Sequence, residues 1–266
     1  MNGAAAAEGE ATPFLSIRDV VVRFGGILAL NGVSFEMHRG EILGLIGPNG
    51  AGKTTLFNCL SRLYAPSSGS IVFRGRNVLE TPVNRIAGCG IGRTFQNVAS
   101  FANLRVLDNI RIGAHSRFNG DFLSDALRLP ASRRTERAIG RIADALIDDL
   151  GLGDVALTPA RALPFAMQKK VELARALAAD PQLLLLDEPA GGLNHDEVAA
   201  LGRLIRHIRD ERQISILLVE HHMNLVMSVS DRVVVLNFGQ KIAEGAPAAV
   251  QNDPEVIRAY LGGRAE

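Results

Sequence analysis

The residues best suited to chemistry lie in one stretch, EILGLIGPNGAGKTTLF at positions 41–57, where an apolar run gives way to a glycine-rich turn and then to Lys53, Thr54 and Thr55. The turn of Gly47, Pro48, Asn49, Gly50, Ala51 and Gly52 can aim backbone N–H groups at phosphate oxygens, because its glycines permit positive φ and close approach. Lys53 supplies a point charge for the β- and γ-phosphates of a nucleotide and Thr54 offers a hydroxyl to Mg²⁺. A helix opening at Thr54 turns its positive end toward the same anion. Ile42, Leu43, Leu45 and Ile46 read as the preceding buried strand, and Leu56, Phe57 and Leu60 as the buried face of the helix. That strand–loop–helix setting favours a phosphate-binding loop over the alternative, a glycine-rich β-turn.

A second constellation follows four consecutive leucines. Leu183, Leu184, Leu185 and Leu186 predict a buried strand that carries Asp187 and Glu188 to its C-terminal edge, where parallel α/β sheets place their ligands. Asp187 is placed to hold Mg²⁺ through water, and Glu188 to polarise a water attacking the γ-phosphate. The next apolar run, ISILLVE, ends at His221 and His222. His221 is a candidate γ-phosphate hydrogen-bond donor, with a capping or surface histidine as the alternative. A metal site built from His195, His221 and His222 is disfavoured, since no acid or cysteine falls at ligand spacing with them.

Positioning these groups requires a folded domain, and 266 residues with 47% hydrophobic content allow one. A net charge of +1 gives no electrostatic reason to expect nucleic acid or an anionic membrane surface as the main partner. No apolar run is long enough to span a bilayer. MNGAAAAEGEATP lacks a basic leader and carries Glu8 and Glu10, so residues 1–13 are expected to be a disordered tail of a cytosolic protein. Cys59 and Cys89 read as reduced structural thiols. Residues 14–37 alternate around a Gly25-Gly26 break, which predicts two strands joined by a turn, and a further strand is expected near residues 70–74. From 99 to 162 the apolar residues recur at helical spacing, which predicts a helical insertion. Its Arg133, Arg134 and Arg137 are interspersed with Glu136, Asp144, Asp148 and Asp149, favouring a solvated face over a nucleic-acid patch. Strands return at 183–187, 214–220 and 232–237, with a helix between the first two whose Val198, Leu201, Leu204, Ile205 and Ile208 share one face. Apolar strands alternating with helices predict a parallel sheet covered on both faces.

Taken together, these residues resemble the ATP-binding subunits of ABC transporters, from about Phe14 to about Gly262. The resemblance implies an α/β fold with a P-loop NTPase parallel-sheet core, an antiparallel β subdomain and a helical subdomain at about 97–166, all within one domain at 14–266. GPNGAGKTT is the family's form of the phosphate loop, LLLLDEP its Walker B strand with Glu188 as catalytic glutamate, and LVEHH places His221 at the switch histidine. RTFQN places Gln96 at the Q-loop glutamine, implied to contact Mg²⁺ and the attacking water, and RFGG places Phe24 where an aromatic stacks on adenine. The signature, typically L-S-G-G-Q, is here Leu163, Pro164, Phe165, Ala166 and Met167. In the family this segment reaches the ATP held by an opposite subunit. Pro164 brings neither hydroxyl nor N–H, but proline suits the first turn of a helix whose dipole can still face phosphate, so a weakened contribution is expected. Asn194 stands where most of the family carries aspartate.

RTFQN, the long insertion, EPAGGLN and VEHHMNLVM further resemble the ATPases of branched-chain amino-acid uptake systems, with importers for urea or short amides sharing these features. The implied cofactors are ATP and Mg²⁺. The implied partners are a second ATP-binding subunit and membrane-spanning subunits, with the chain peripheral on the inner face of the plasma membrane. Two other readings remain open here: a soluble ABC ATPase serving DNA repair or translation, and a regulatory module that binds ATP without appreciable turnover.

Overall fold

The computed structural model describes residues 13–94, 101–118 and 130–261. Two sheets organise them. The first is antiparallel, with β1 (Leu15–Phe24) between β2 (Ile27–Met37) and β4 (Ser68–Phe73), and β5 (Arg76–Asn77) on the outer edge of β4. The β1–β2 turn falls at Gly25-Gly26, as the break in alternation predicts. The second sheet has six strands in the order β10 (Gln240–Gly245), β9 (Arg232–Asn237), β3 (Ile42–Ile46), β8 (Ser215–Val219), β7 (Leu183–Asp187) and β6 (Ile91–Arg93). Every pairing in it is parallel except β9 with β10.

Every residue of β3, β7 and β8 is buried. The reason is that the central strands separate two apolar cores, and side chains alternate between them. Leu43 and Leu45, Leu183 and Leu185, and Leu217 and Val219 enter the core shared with the antiparallel sheet and the helix α1 (Lys53–Leu60). Ile42 and Ile46, Leu184 and Leu186, and Ile216 and Leu218 enter the opposite core, built with the helices.

Those helices are α2 (Val106–Ala114), α3 (Pro130–Asp149), α4 (Phe165–Ala178), α5 (His195–Arg212), α6 (Met223–Val229), α7 (Pro247–Gln251) and α8 (Pro254–Leu261). The described part of the expected helical subdomain carries α2 and α3 and the start of α4, which continues well past residue 166. The expected tail at 1–13 lies outside the described residues apart from Pro13. In α5, Ile205 and Ile208 are buried while Val198, Leu201 and Leu204 pack half-buried on the core, the face its spacing predicts. Cys59 and Cys89 are free thiols, and burial pushes Cys59 up to about 11, with Arg62 opposing. No helix among the described residues is long and apolar enough to cross a membrane.

Candidate active site

Three neighbouring parallel strands, β3, β8 and β7, bring their C-terminal ends to one edge of the sheet. The loop of residues 47–52 leaves β3, Glu220 and His221 follow β8, and Asp187 ends β7 with Glu188 next. Glycine is required where the loop is tightest. At Gly47, with φ +151°, a Cβ would lie 2.1 Å from the Leu236 carbonyl oxygen, and at Gly52, with φ +101°, 2.7 Å from that of Ala29. The β9–β10 turn braces the loop from outside, Gly239 N–H donating to Ala51 O at 3.1 Å.

Helix α1 begins at Lys53, one residue earlier than the sequence predicts. It has no side-chain cap and no acid in its first turn, so its N-terminal N–H groups are left for an anion. Asn49, Gly50 and Thr54 are exposed. Lys53 is buried, its Nζ donating to Gly47 O at 2.7 Å and Pro48 O at 2.9 Å. Burial holds its ammonium below the usual lysine range, while the negative charge of Glu188 opposes the shift. A cation folded over a glycine cradle at an open helix N-terminus fits a phosphate chain.

Glu188 adopts φ +48° and donates its N–H to Val219 O at 2.9 Å, which turns the residue off the strand. Its Oε1 lies 2.6 Å from His221 Nε2, with both side chains partly exposed. With the carboxylate accepting, that nitrogen carries the proton. Asp187 is buried; Oδ2 accepts from Arg93 at 2.7 Å, whereas buried Oδ1 has no partner among the described residues. An orphaned carboxylate oxygen beside a phosphate loop, with an exposed threonine hydroxyl at position 54, is an oxygen donor set that fits Mg²⁺.

Two participants were not foreseen. Glu220 is 1% exposed and accepts three backbone N–H groups, from Ala190 at 2.6 Å, His221 at 2.9 Å and His222 at 3.1 Å. It thereby ties the segment after Glu188 to the turn carrying His221. Arg93, at the end of β6, pairs with Asp187 and also reaches α1. An acid directly before paired histidines was a readable signal for the first; nothing local marks the second.

Of the other expected residues, Phe24 closes β1 and Pro164 to Met167 stand at the start of α4. Phe24 is 44% exposed at the end of β1, edge-on to Tyr64 with centroids 5.1 Å apart. Pro164 is the N-cap of α4 rather than part of its first turn, and its carbonyl accepts from Met167 and Gln168 N–H. Leu163 is buried in the core, whereas Pro164 and Phe165 are exposed and Ala166 and Met167 half-buried. The Phe165 ring lies against Gly192, where a Cβ would come within 2.8 Å of it. Asn194 caps α5, accepting from Glu197 N–H at 3.0 Å while Glu197 Oε2 accepts from Asn194 N–H at 2.9 Å. Gln96 lies outside the described residues. Among the described residues no group of three or more acids, cysteines or histidines forms a metal cluster.

The fold and the site define an ATP-binding cassette. The family description "ABC transporter" matches residues 30–191, which hold the loop and the Asp187-Glu188 pair, and the chain belongs to that family as an ATPase subunit. A second description, "Branched-chain amino acid ATP-binding cassette transporter", matches residues 240–266. The chain is 41% identical to the high-affinity branched-chain amino acid transport ATP-binding protein BraF of Pseudomonas aeruginosa, covering 94% of this chain and 98% of the relative. It is 42% identical over the same shares to LivG of Escherichia coli, which carries the same description. A nucleotide-free ATP-binding cassette of an ABC transporter superposes with a TM-score of 0.82 at 27% identity, covering 94% of this chain and 99% of the other. The ADP conformation of such a cassette also gives 0.82 at 27% identity, covering 95% and 100%.

Proposed function

We propose that this chain hydrolyses ATP to drive uptake of branched-chain amino acids through membrane-spanning subunits, as one of two ATPases that close face to face. The observation that carries the catalytic assignment is the Glu188–His221 pair, 2.6 Å apart at the edge that also presents the phosphate loop. Lys53 exchanges the Gly47 and Pro48 carbonyls for phosphate oxygens, residues 47–55 wrap the phosphates, and Phe24 stacks on the base. Thr54, Gln96 and, through water, Asp187 would hold Mg²⁺, which would supply positive charge to offset that of the phosphates. Glu188 orients the attacking water and His221 braces the γ-phosphate. The N-terminus of α4, with Leu163 beneath it and Pro164, Phe165, Ala166 and Met167 at its surface, completes the site of the opposite subunit.

Membrane subunits fit an open groove of about 590 Å³ between the helical part and the core, whose apolar wall includes Leu63, Val83, Ile86, Phe101 and Ile112. Docking there holds the chain at the inner face of the plasma membrane. The cargo follows from the relatives and from the match over residues 240–266. The deciding experiment is co-purification with the membrane subunits followed by leucine uptake and ATPase assays on Glu188→Gln. Turnover is expected to fall at least about hundredfold with ATP binding retained. Normal hydrolysis by Glu188→Gln refutes the catalytic assignment, and normal hydrolysis without leucine transport refutes the cargo.

A further inference from the structure

Arg93 ends β6 with 9% of its side chain exposed, and it joins three elements of the site. One terminal nitrogen donates to Asp187 Oδ2 at 2.7 Å on β7; the other donates to Asn58 Oδ1 at 2.8 Å on α1 and to Oγ of its C-cap, Ser61, at 2.9 Å. The guanidinium also lies over the Phe57 ring, 5.7 Å from its centroid. Helix α1 is the helix that carries Thr54, so one planar fork fixes the helix bearing the hydroxyl against the strand bearing the carboxylate. A lysine in its place would hold Asp187 as a point charge without reproducing the fork.

The Asp187 side chain is 1% exposed. An ordinary buried ion pair satisfies both carboxylate oxygens, because an unpaired buried acceptor is costly. Here Oδ2 is taken and Oδ1 is left with no partner among the described residues. We propose that Arg93 is a positioning residue: by occupying Oδ2 and anchoring to α1, it presents the remaining oxygen of Asp187 to the cation that accompanies the nucleotide. This rests on the ATP-binding reading above. Arg93 touches neither nucleotide nor water in this scheme and acts through Asp187. Its side chain also forms part of the wall of the groove assigned to the membrane subunits, so a docked helix would press on the residue that sets the carboxylate.

The test is equilibrium binding of a fluorescent ATP analogue to the full chain, in excess Mg²⁺ and in excess EDTA, with Mn²⁺ binding to the nucleotide complex followed by electron paramagnetic resonance. Arg93→Gln is expected to weaken Mn²⁺ binding and the Mg²⁺-dependent gain in nucleotide affinity about tenfold or more, the usual cost of losing an outer-shell partner. Binding in EDTA stays within about twofold of the unsubstituted chain, and Arg93→Lys recovers part of the loss. Equal weakening in both conditions, or Mn²⁺ affinity unchanged or raised, overturns the proposal. If Arg93→Gln does not fold, the double variant Asn58→Ala, Ser61→Ala keeps the ion pair but frees the guanidinium from α1. It is expected to lose about threefold of the Mg²⁺-dependent gain only, and an unchanged gain overturns the proposal. Absence of binding by the unsubstituted chain in both conditions would instead overturn the nucleotide reading, and this inference with it.

Discussion

Glu220→Gln is a change of one atom at the centre of the site's scaffold, and its cost can be worked from the geometry. The two carboxylate oxygens accept three N–H groups, Oε1 from Ala190 and Oε2 from His221 and His222. A glutamine has one acceptor atom and one NH₂. If its oxygen replaces Oε2, the NH₂ meets the Ala190 N–H across a contact of 2.6 Å; if it replaces Oε1, two donors lose their acceptor. The first arrangement is cheaper. It removes one charge-assisted hydrogen bond, leaves the N–H of fully buried Ala190 unsatisfied and makes the other two bonds neutral, together about 3 kcal/mol. For a chain of this size that lowers Tm by roughly 10 °C. The same substitution loosens the turn that aims His221 at Glu188, so kcat is expected to fall about tenfold while ATP affinity, assigned above to residues 47–55, stays within about threefold. Calorimetry with steady-state ATPase assays of the assembled transporter measures both. A Tm within about 2 °C of the unsubstituted protein, together with unchanged kcat, refutes the claim that Glu220 organises the site.

Pro164→Ser restores a hydroxyl and an N–H at the N-cap of α4, and is expected to lower the half-saturating ATP concentration and raise turnover roughly threefold in the assembled transporter; unchanged values show that proline does not weaken the opposite site. Cys59, pushed up to about 11 by burial with Arg62 opposing, stays unlabelled by iodoacetamide at pH 8.5 until the chain is unfolded. Since its unfolded value is 9.0, the unfolded state releases the proton first, and native stability falls as pH rises from about 9 to 11. Denaturant titrations of Cys59→Ala should show a shallower loss over that window.

What could be read from the sequence was chemistry written in consecutive residues. The phosphate loop, the Asp187-Glu188 pair and His221 each follow an apolar run that fixes its own strand, and the three strands prove to be neighbours in one parallel sheet. Arg93 was illegible because its meaning lies in Asp187, 94 positions away, and in Asn58 and Ser61 at the C-terminal end of α1. Glu220 stood beside a recognised histidine, yet its role depends on Ala190, which only the β7–β8 pairing brings near. Asn194 departs from the family's aspartate, yet Asn-x-x-Glu before a helix also spells the capping box it forms with Glu197. Proline suits a first turn, but Pro164 precedes it: its ψ of 149° is extended, and only its carbonyl joins the helix by accepting from Met167 and Gln168 N–H.

The alternation of β3, β7 and β8 between two cores has a mechanical consequence. Each of these strands is gripped from both sides, so none can slide or tilt without disturbing both packings at once. The groups proposed to meet the nucleotide are therefore short overhangs on a slab packed from both faces. Turnover has little freedom to deform that slab, and the work of each cycle must be delivered by moving it whole or by bending what is attached to its rim.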